Sequence, residues 1–242
     1  MHELTRKLLA VVATGVLLTP VASLAAGPSI PLDRANNDVR NVASLQRGAQ
    51  LYMNFCLGCH SAQFMRWNRI AQDLQLTEEQ VMNNLMFTGD SIHDTMQIAM
   101  PGADAEVWFG KMPPDLSLIS RSRGTDYLYT FLRTFYVDDN GNSNNKVLEM
   151  TSMPHVLWEL QGLQRAAYDE NGDWTGFEQI RAGSMSPEEY DRAVRDIVNF
   201  LDYVGEPIQV ERRRIGTMVI AFLLVFLVLS WLFKREVWRD VK

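Results

Sequence analysis

Residues 215–233 contain no charged side chain and consist largely of Leu, Val, Ile and Phe. A run of this length is close to the ~20 residues a helix needs to cross the hydrocarbon core of a bilayer. It is apolar on all sides, and charges bracket it: Arg212, Arg213 and Arg214 before it; Lys234, Arg235, Arg239 and Lys242 after it. A helix with no polar face belongs in a membrane rather than in a soluble core. The other end of the chain carries a different apolar segment. Arg6 and Lys7 precede an uncharged stretch over residues 8–18, Pro20 breaks the run, and Ser23-Leu24-Ala25-Ala26 offers small residues. That pattern predicts a secretory signal peptide over residues 1–26, too short to span a bilayer. A retained N-terminal anchor is the alternative.

Together these segments predict an exported domain at 27–211, a single transmembrane anchor at 212–234 and a cytoplasmic tail at 235–242. The expected location is a bacterial-type inner membrane, with the large domain on the periplasmic side. The basic tail agrees with the positive-inside tendency. The three arginines on the opposite flank compete with it. A long exported domain translocates largely regardless of such charges, however, and their side chains can snorkel to headgroups.

The formal net charge of −6 conceals an asymmetry. Residues 27–211 hold 26 Asp and Glu against 14 Lys and Arg, near −12. So acidic a domain does not suit a phosphate backbone, and no nucleic-acid partner is expected. It does suit solubility and the docking of a basic protein.

Helical periodicity organises the domain. Ser44 is placed to cap a helix whose one face carries Leu45, Ala49, Tyr52, Phe55 and Cys56. Thr77-Glu78-Glu79-Gln80 fits a capping box ahead of Val81, Leu85 and Met86. Residues 89–123, broken by Pro101, Gly102, Gly110, Pro113 and Pro114, read as a long irregular region. Residues 125–136 read as helix and 138–145 as an exposed turn. Ser186-Pro187-Glu188-Glu189 opens the clearest helix, with an apolar stripe from Tyr190 to Leu201; Gly205 and Pro207 end it. The predicted class is mostly α, with long loops wrapped around something that supplies cohesion.

The only cysteines are Cys56 and Cys59, in Cys56-Leu57-Gly58-Cys59-His60. C-x-x-C-H is the attachment pattern of c-type haem. Two thiols on one turn can each bond a different vinyl group at the edge of one haem, and the next residue then aims its imidazole at the iron. A thioredoxin-like pair would need a βαβ setting that is absent from the pattern. A zinc site would need a second pair of ligands, and His2, His93 and His155 are not spaced to provide one. A structural disulfide leaves the adjacent His60 unexplained. The expected cofactor is therefore one covalently attached haem c. A sixth ligand from methionine suits electron transfer and raises the potential. Met153 stands out because Pro154 restricts its backbone. Met150 and two further Met-Pro pairs, at Met100 and Met112, are alternatives that spacing does not separate.

Several segments together resemble the cytochrome c1 family across nearly the whole chain. They are Arg47-Gly48 with Tyr52 ahead of the attachment motif, then Met112-Pro113-Pro114-Asp115-Leu116-Ser117. Arg121-Ser122-Arg123-Gly124-Thr125-Asp126-Tyr127 comes next, with a glycine turn shorter than the family's, and then Met153-Pro154-His155-Val156-Leu157-Trp158. The resemblance implies thioethers at Cys56 and Cys59 and axial ligation by His60 and Met153. It also implies a haem propionate paired with Arg123 (Arg121 being the alternative), and Tyr127 at the same edge. Pro113 and Pro114 would shape the loop over the haem, Pro114 counting with the cofactor-contacting residues. A surface ion pair is the plain alternative for either arginine, and His93 and His155 are read as ordinary polar residues. The implied function is a non-catalytic relay subunit of ubiquinol–cytochrome c reductase, in a complex expected to be dimeric. It would take single electrons from the Rieske iron–sulfur protein, beside cytochrome b, and pass them to a cytochrome c. A subunit of another respiratory complex, a haem peroxidase and a gas or redox sensor are the rivals; the last two need an open or labile sixth position.

Overall fold

A computed structural model describes residues 30–240. The expected signal peptide lies outside the described residues. Helices dominate and strands are few and short, in agreement with the mostly α expectation.

Two helices form the frame. Helix α1 (Val42–Phe55) starts at Asn41, whose side-chain oxygen accepts from the Ser44 N–H at 3.1 Å. The expected cap, Ser44, therefore lies inside the first turn, where its hydroxyl donates instead to Asp196 Oδ1 at 2.5 Å. Asparagine caps as well as serine, and here a tertiary partner claims the serine. Leu45, Ala49 and Tyr52 of α1 join Val194, Ile197, Phe200 and Leu201 in one buried cluster. Burial on this scale contributes roughly 1.5–3 kcal/mol for each large side chain. The Tyr52 and Phe200 rings meet at 5.4 Å.

Between them the chain forms β1 (Ala62–Arg66), α2 (Trp67–Asp73), α3 (Glu78–Asn84), β2 (Thr95–Met96), α4 (Gly102–Phe109), α5 (Ile119–Arg123), α6 (Thr125–Arg133), β3 (Phe135–Val137), β4 (Ser143–Asn145), α7 (Trp158–Gln161), β5 (Gly162–Tyr168) and β6 (Trp174–Ala182). The second frame helix, α8 (Pro187–Gly205), has the full Ser186/Glu189 capping box with Pro187 in its first turn; the Thr77/Gln80 box of α3 is also complete. Among the described residues the sheets are three antiparallel pairs, β1–β2, β3–β4 and β5–β6.

Three local expectations need correction. Residues 89–123 are not wholly irregular: Pro101 stands at the start of α4 and Gly110, left-handed at φ +76°, closes it. Proline and glycine punctuate a short helix there. Only Ala105 of α4 is buried, so no apolar stripe marked it. Residues 125–136 are helical only to Arg133, because Phe135 pairs with Asn145 in a hairpin. The turn over 138–145 is tight only at its tip, where Asp138 Oδ1 accepts from the N–H groups of Asn140 and Asn142. Asn145 at its end is fully buried.

The last helix, α9 (Gln209–Val237), has 29 residues, and only Gln209 is buried. Its most apolar window has a mean hydropathy of 2.6 and is not buried by any of the described residues. At ~1.5 Å per residue it is ~43 Å long, enough to cross a ~30 Å hydrocarbon core with its charged ends among headgroups.

Candidate functional site

Helix α1 delivers the cysteine motif at its C-terminus. Cys56 is the C-cap, its N–H bonded to the Tyr52 carbonyl, and the N–H groups of Cys59 and His60 both donate to the Cys56 carbonyl at 3.0 and 2.8 Å. The segment therefore curls into one compact turn that keeps both thiols and the imidazole together. Cys56 is buried and Cys59 half-buried, and both are free thiols. Burial, with a smaller contribution from Cys59, pushes the Cys56 thiol up to about 12.

His60 is oriented from two sides. The Tyr52 hydroxyl donates to its backbone carbonyl at 2.7 Å, and its ring Nδ1 lies 2.7 Å from the Pro114 carbonyl oxygen. A carbonyl can only accept, so Nδ1 carries the hydrogen and Nε2 presents its lone pair. Burial lowers the imidazole pKa, and the Pro114 contact opposes this without overcoming it, which favours the neutral ring. Pro114 thus acts on the site through its carbonyl.

Asp115 fastens that proline in place. It accepts from the Ser61 hydroxyl at 2.8 Å and from the N–H groups of Gln63 and Ser117 at 2.9 and 2.8 Å. The Leu116 N–H donates to the Ser61 carbonyl, and the Ser117 hydroxyl accepts from the Phe64 N–H. The Pro-Pro-Asp-Leu-Ser segment is stitched residue by residue onto the chain leaving His60. The motif was visible in sequence; that its aspartate ties two distant segments together was not.

The remaining predicted residues separate by environment. Met153 is half-buried and packs against the same apolar cluster that contains Cys56 and Leu57. Met150 is 90% exposed with a left-handed backbone, and Met112 also faces out. Arg121 is engaged with Glu206 at 2.6 Å, whereas the exposed Arg123 lies over the Tyr127 ring at 5.5 Å. Tyr127, Phe131, Phe135 and His155 form a continuous row of rings with centroids 6.2, 5.0 and 5.0 Å apart. That row links the arginine to the residue after Met153-Pro154. The spacing of four from Tyr127 to Phe131 to Phe135 was its available sequence signal. His155 is stacked within this row, and burial pushes its pKa down to about 4. His93 is exposed. Neither histidine sits in the cysteine turn.

Two free thiols on one turn, and beside them a neutral imidazole with Nε2 presented, are residue types that fit a c-type haem. No cluster of three or more metal-binding His, Cys, Asp or Glu occurs among the described residues.

Comparison with known proteins gives the family. The profile described as the Cytochrome C1 family matches residues 37–241. The chain is 47% identical to cytochrome c1 of Allochromatium vinosum, over 96% of this chain and 98% of that protein. It is 45% identical to a Nitrosomonas europaea protein named ammonia monooxygenase gamma subunit, over 93% and 95%. The mitochondrial cytochrome c1, heme protein, of Schizosaccharomyces pombe is 27% identical over 83% of this chain and 68% of its own length. Members of this family are haem subunits of the cytochrome bc1 complex, and the chain belongs to the cytochrome c1 family.

Proposed function

We propose that this chain is the electron-relay subunit of a ubiquinol–cytochrome c reductase, taking single electrons from a Rieske iron–sulfur protein and passing them to a cytochrome c. It would work beside cytochrome b in a dimeric complex, anchored once in the inner membrane by residues 212–234, with residues 27–211 in the periplasm. Cys56 and Cys59 would hold one haem c through thioethers, His60 and Met153 would be its axial ligands, and Arg123 and Tyr127 would meet a propionate. When bound, the haem supplies the one-electron carrier.

The observation that carries this reading is the 2.7 Å contact between His60 Nδ1 and the Pro114 carbonyl. It commits the imidazole to the tautomer an iron ligand needs, and a hydrogen-bonded outer nitrogen is what orients a metal-binding histidine. Cys56 is buried in the turn, and Met153 is half-buried against the apolar cluster to which Cys56 belongs. Quinol oxidation is assigned to the partner subunits.

The test is purification from membranes followed by haem staining of a denaturing gel. Haem stain should stay with this polypeptide, and cytochrome b and the Rieske protein should copurify. Stain persisting after Cys56 and Cys59 are both replaced by Ala would sink the attachment assignment.

A further inference from the structure

Lys146 directly follows β4 and is only 7% exposed. Lysine is seldom buried without partners. Here the ammonium faces three aromatic rings: Tyr136 at 5.8 Å, Tyr168 at 5.3 Å and Trp174 at 5.9 Å. The Tyr168 hydroxyl and Glu149 Oε1 each lie 3.4 Å from Nζ. Burial disfavours the charge, but the bond to Tyr168 and the surrounding groups outweigh it and keep the ammonium protonated. Tyr136 comes from β3, Tyr168 ends β5 and Trp174 begins β6, so one side chain joins two hairpins.

The segment that starts at Lys146 is the strap carrying Met153. Its upstream end is well held: Asn145 Oδ1 accepts from the Val147 and Leu148 N–H groups, and Asn144 Oδ1 accepts from the Met150 N–H. Its downstream end is held by His155 stacked on Phe135 and by the buried Leu157. Between these ends the Met153 N–H makes one long bond, 3.4 Å, to Thr151 within the strap itself. Apart from the packing of its side chain on the apolar cluster, the place of Met153 is therefore set by the two ends. A short loop with fixed ends loses little further entropy on ordering, whereas freeing one end lets it sample many positions.

We infer that Lys146 is a positioning residue for the sixth ligand: its caged ammonium locks the strand entering the strap to the β5–β6 hairpin and so holds Met153 at the iron. This rests on the His60/Met153 ligation proposed above. The ring faces attract a cation through their quadrupoles, so an apolar side chain of equal length would fill the cage without the same grip.

The experiment uses the full-length, haem-loaded protein and measures carbon monoxide binding to the reduced iron and the reduction potential. Lys146→Met should retain covalent haem while the carbon monoxide-reactive fraction rises about tenfold, the order expected for losing a desolvated cation–π cage. Its potential should fall. Lys146→Arg keeps a cation over the rings and should restore both values most of the way. Tyr203→Phe removes a tertiary hydrogen bond to Asp73 away from the strap and should move neither. A carbon monoxide-inert Lys146→Met with an unchanged potential overturns the proposal, and so does an equal response from Tyr203→Phe. If Lys146→Met does not accumulate, Tyr168→Leu and Trp174→Leu each remove a cage wall, and silence in both also overturns it. Met153→Leu separates the two layers. If it is inert to the gas, the ligand assignment itself fails. If it reacts while Lys146→Met does not, only the role of Lys146 fails.

Discussion

Gly48 of α1 lies against the backbone carbonyl of Asp196 in α8, so close that a Cβ at position 48 would stand 2.0 Å from that oxygen and 2.9 Å from the Phe200 Cβ. Around this contact the Asp196 carboxylate accepts from Ser44 and Arg47, and Asn199 donates to the Ser44 hydroxyl. The crossing fixes where α1 ends, and the cysteine turn is the end of α1. A glycine eight residues before Cys56 therefore helps determine where both thiols sit.

Gly48→Ala is expected to destabilise the haem domain by about 2–3 kcal/mol, the scale of overpacking in a tight core, because the obstructing atom is backbone and cannot rotate away. Urea denaturation of the haem-loaded protein checks this. Haem-stained protein at steady state should fall as well. An unchanged denaturation midpoint would mean that the two helices can separate at little cost.

Asp115 should make stability depend on pH at the acid end. Burial raises its pKa, but bonds from the Gln63 N–H, the hydroxyls of Ser117 and Ser61, and the Ser117 N–H prevail and leave it lowered. A carboxyl depressed in the folded state stabilises above its unfolded pKa of about 3.9, and that gain disappears as pH falls through the lower folded value. Asp115→Asn should cost about 1–2 kcal/mol at pH 7, the scale of hydrogen bonds to a charged group. The gap to the wild type should close as the pH drops below about 4. Urea midpoints between pH 7 and 3 give the comparison, and a gap independent of pH would show that the charge contributes nothing.

Met153→Leu keeps bulk and removes the sulfur, so the fold should persist while the sixth position opens. The reduced protein should then bind carbon monoxide, and its potential should fall. Met150→Leu should do neither, since Met150 is 90% exposed and turned outward by a left-handed backbone at φ +59°. Optical titration of both variants decides the matter, and exchanged phenotypes would reverse the assignment.

Ending the chain after Glu211 should release a soluble, haem-loaded domain into the exported compartment. Gln209, the one buried residue of α9, is retained, and its side chain still donates to the Asp202 carbonyl. The excised part contributes no buried side chain among the described residues. Fractionation of cells expressing the truncated form tests this, and a product that stays integral to the membrane would show that a second anchor exists.

Much of the site was legible because its signals are local. C-x-x-C-H needs only one turn of chain, and the capping boxes at Thr77 and Ser186 satisfy their own first-turn N–H groups within four residues. Whatever depended on distant partners was harder to read. Ser44 and Asn41 are both capping residues, and Asp196, 152 positions from Ser44, decides which of them caps. The β5–β6 hairpin went unseen because its exposed face and its bulges blur the alternation of apolar residues. Helix α4 went unseen because it buries almost nothing.

Residues 215–233, the cysteine motif and the stripe of α8 determined by themselves that this chain has an apolar span, a Cys-x-x-Cys-His turn and a helical domain. Each of those properties resides in covalent neighbours or in one helical period, so no folding information is needed to find it. Tertiary structure alone decided which methionine turns toward the core, which arginine is already occupied by Glu206, and that the Pro114 carbonyl sets the tautomer of His60. Those choices are made between residues tens of positions apart, by burial and by hydrogen bonds that exist only once the chain has closed on itself.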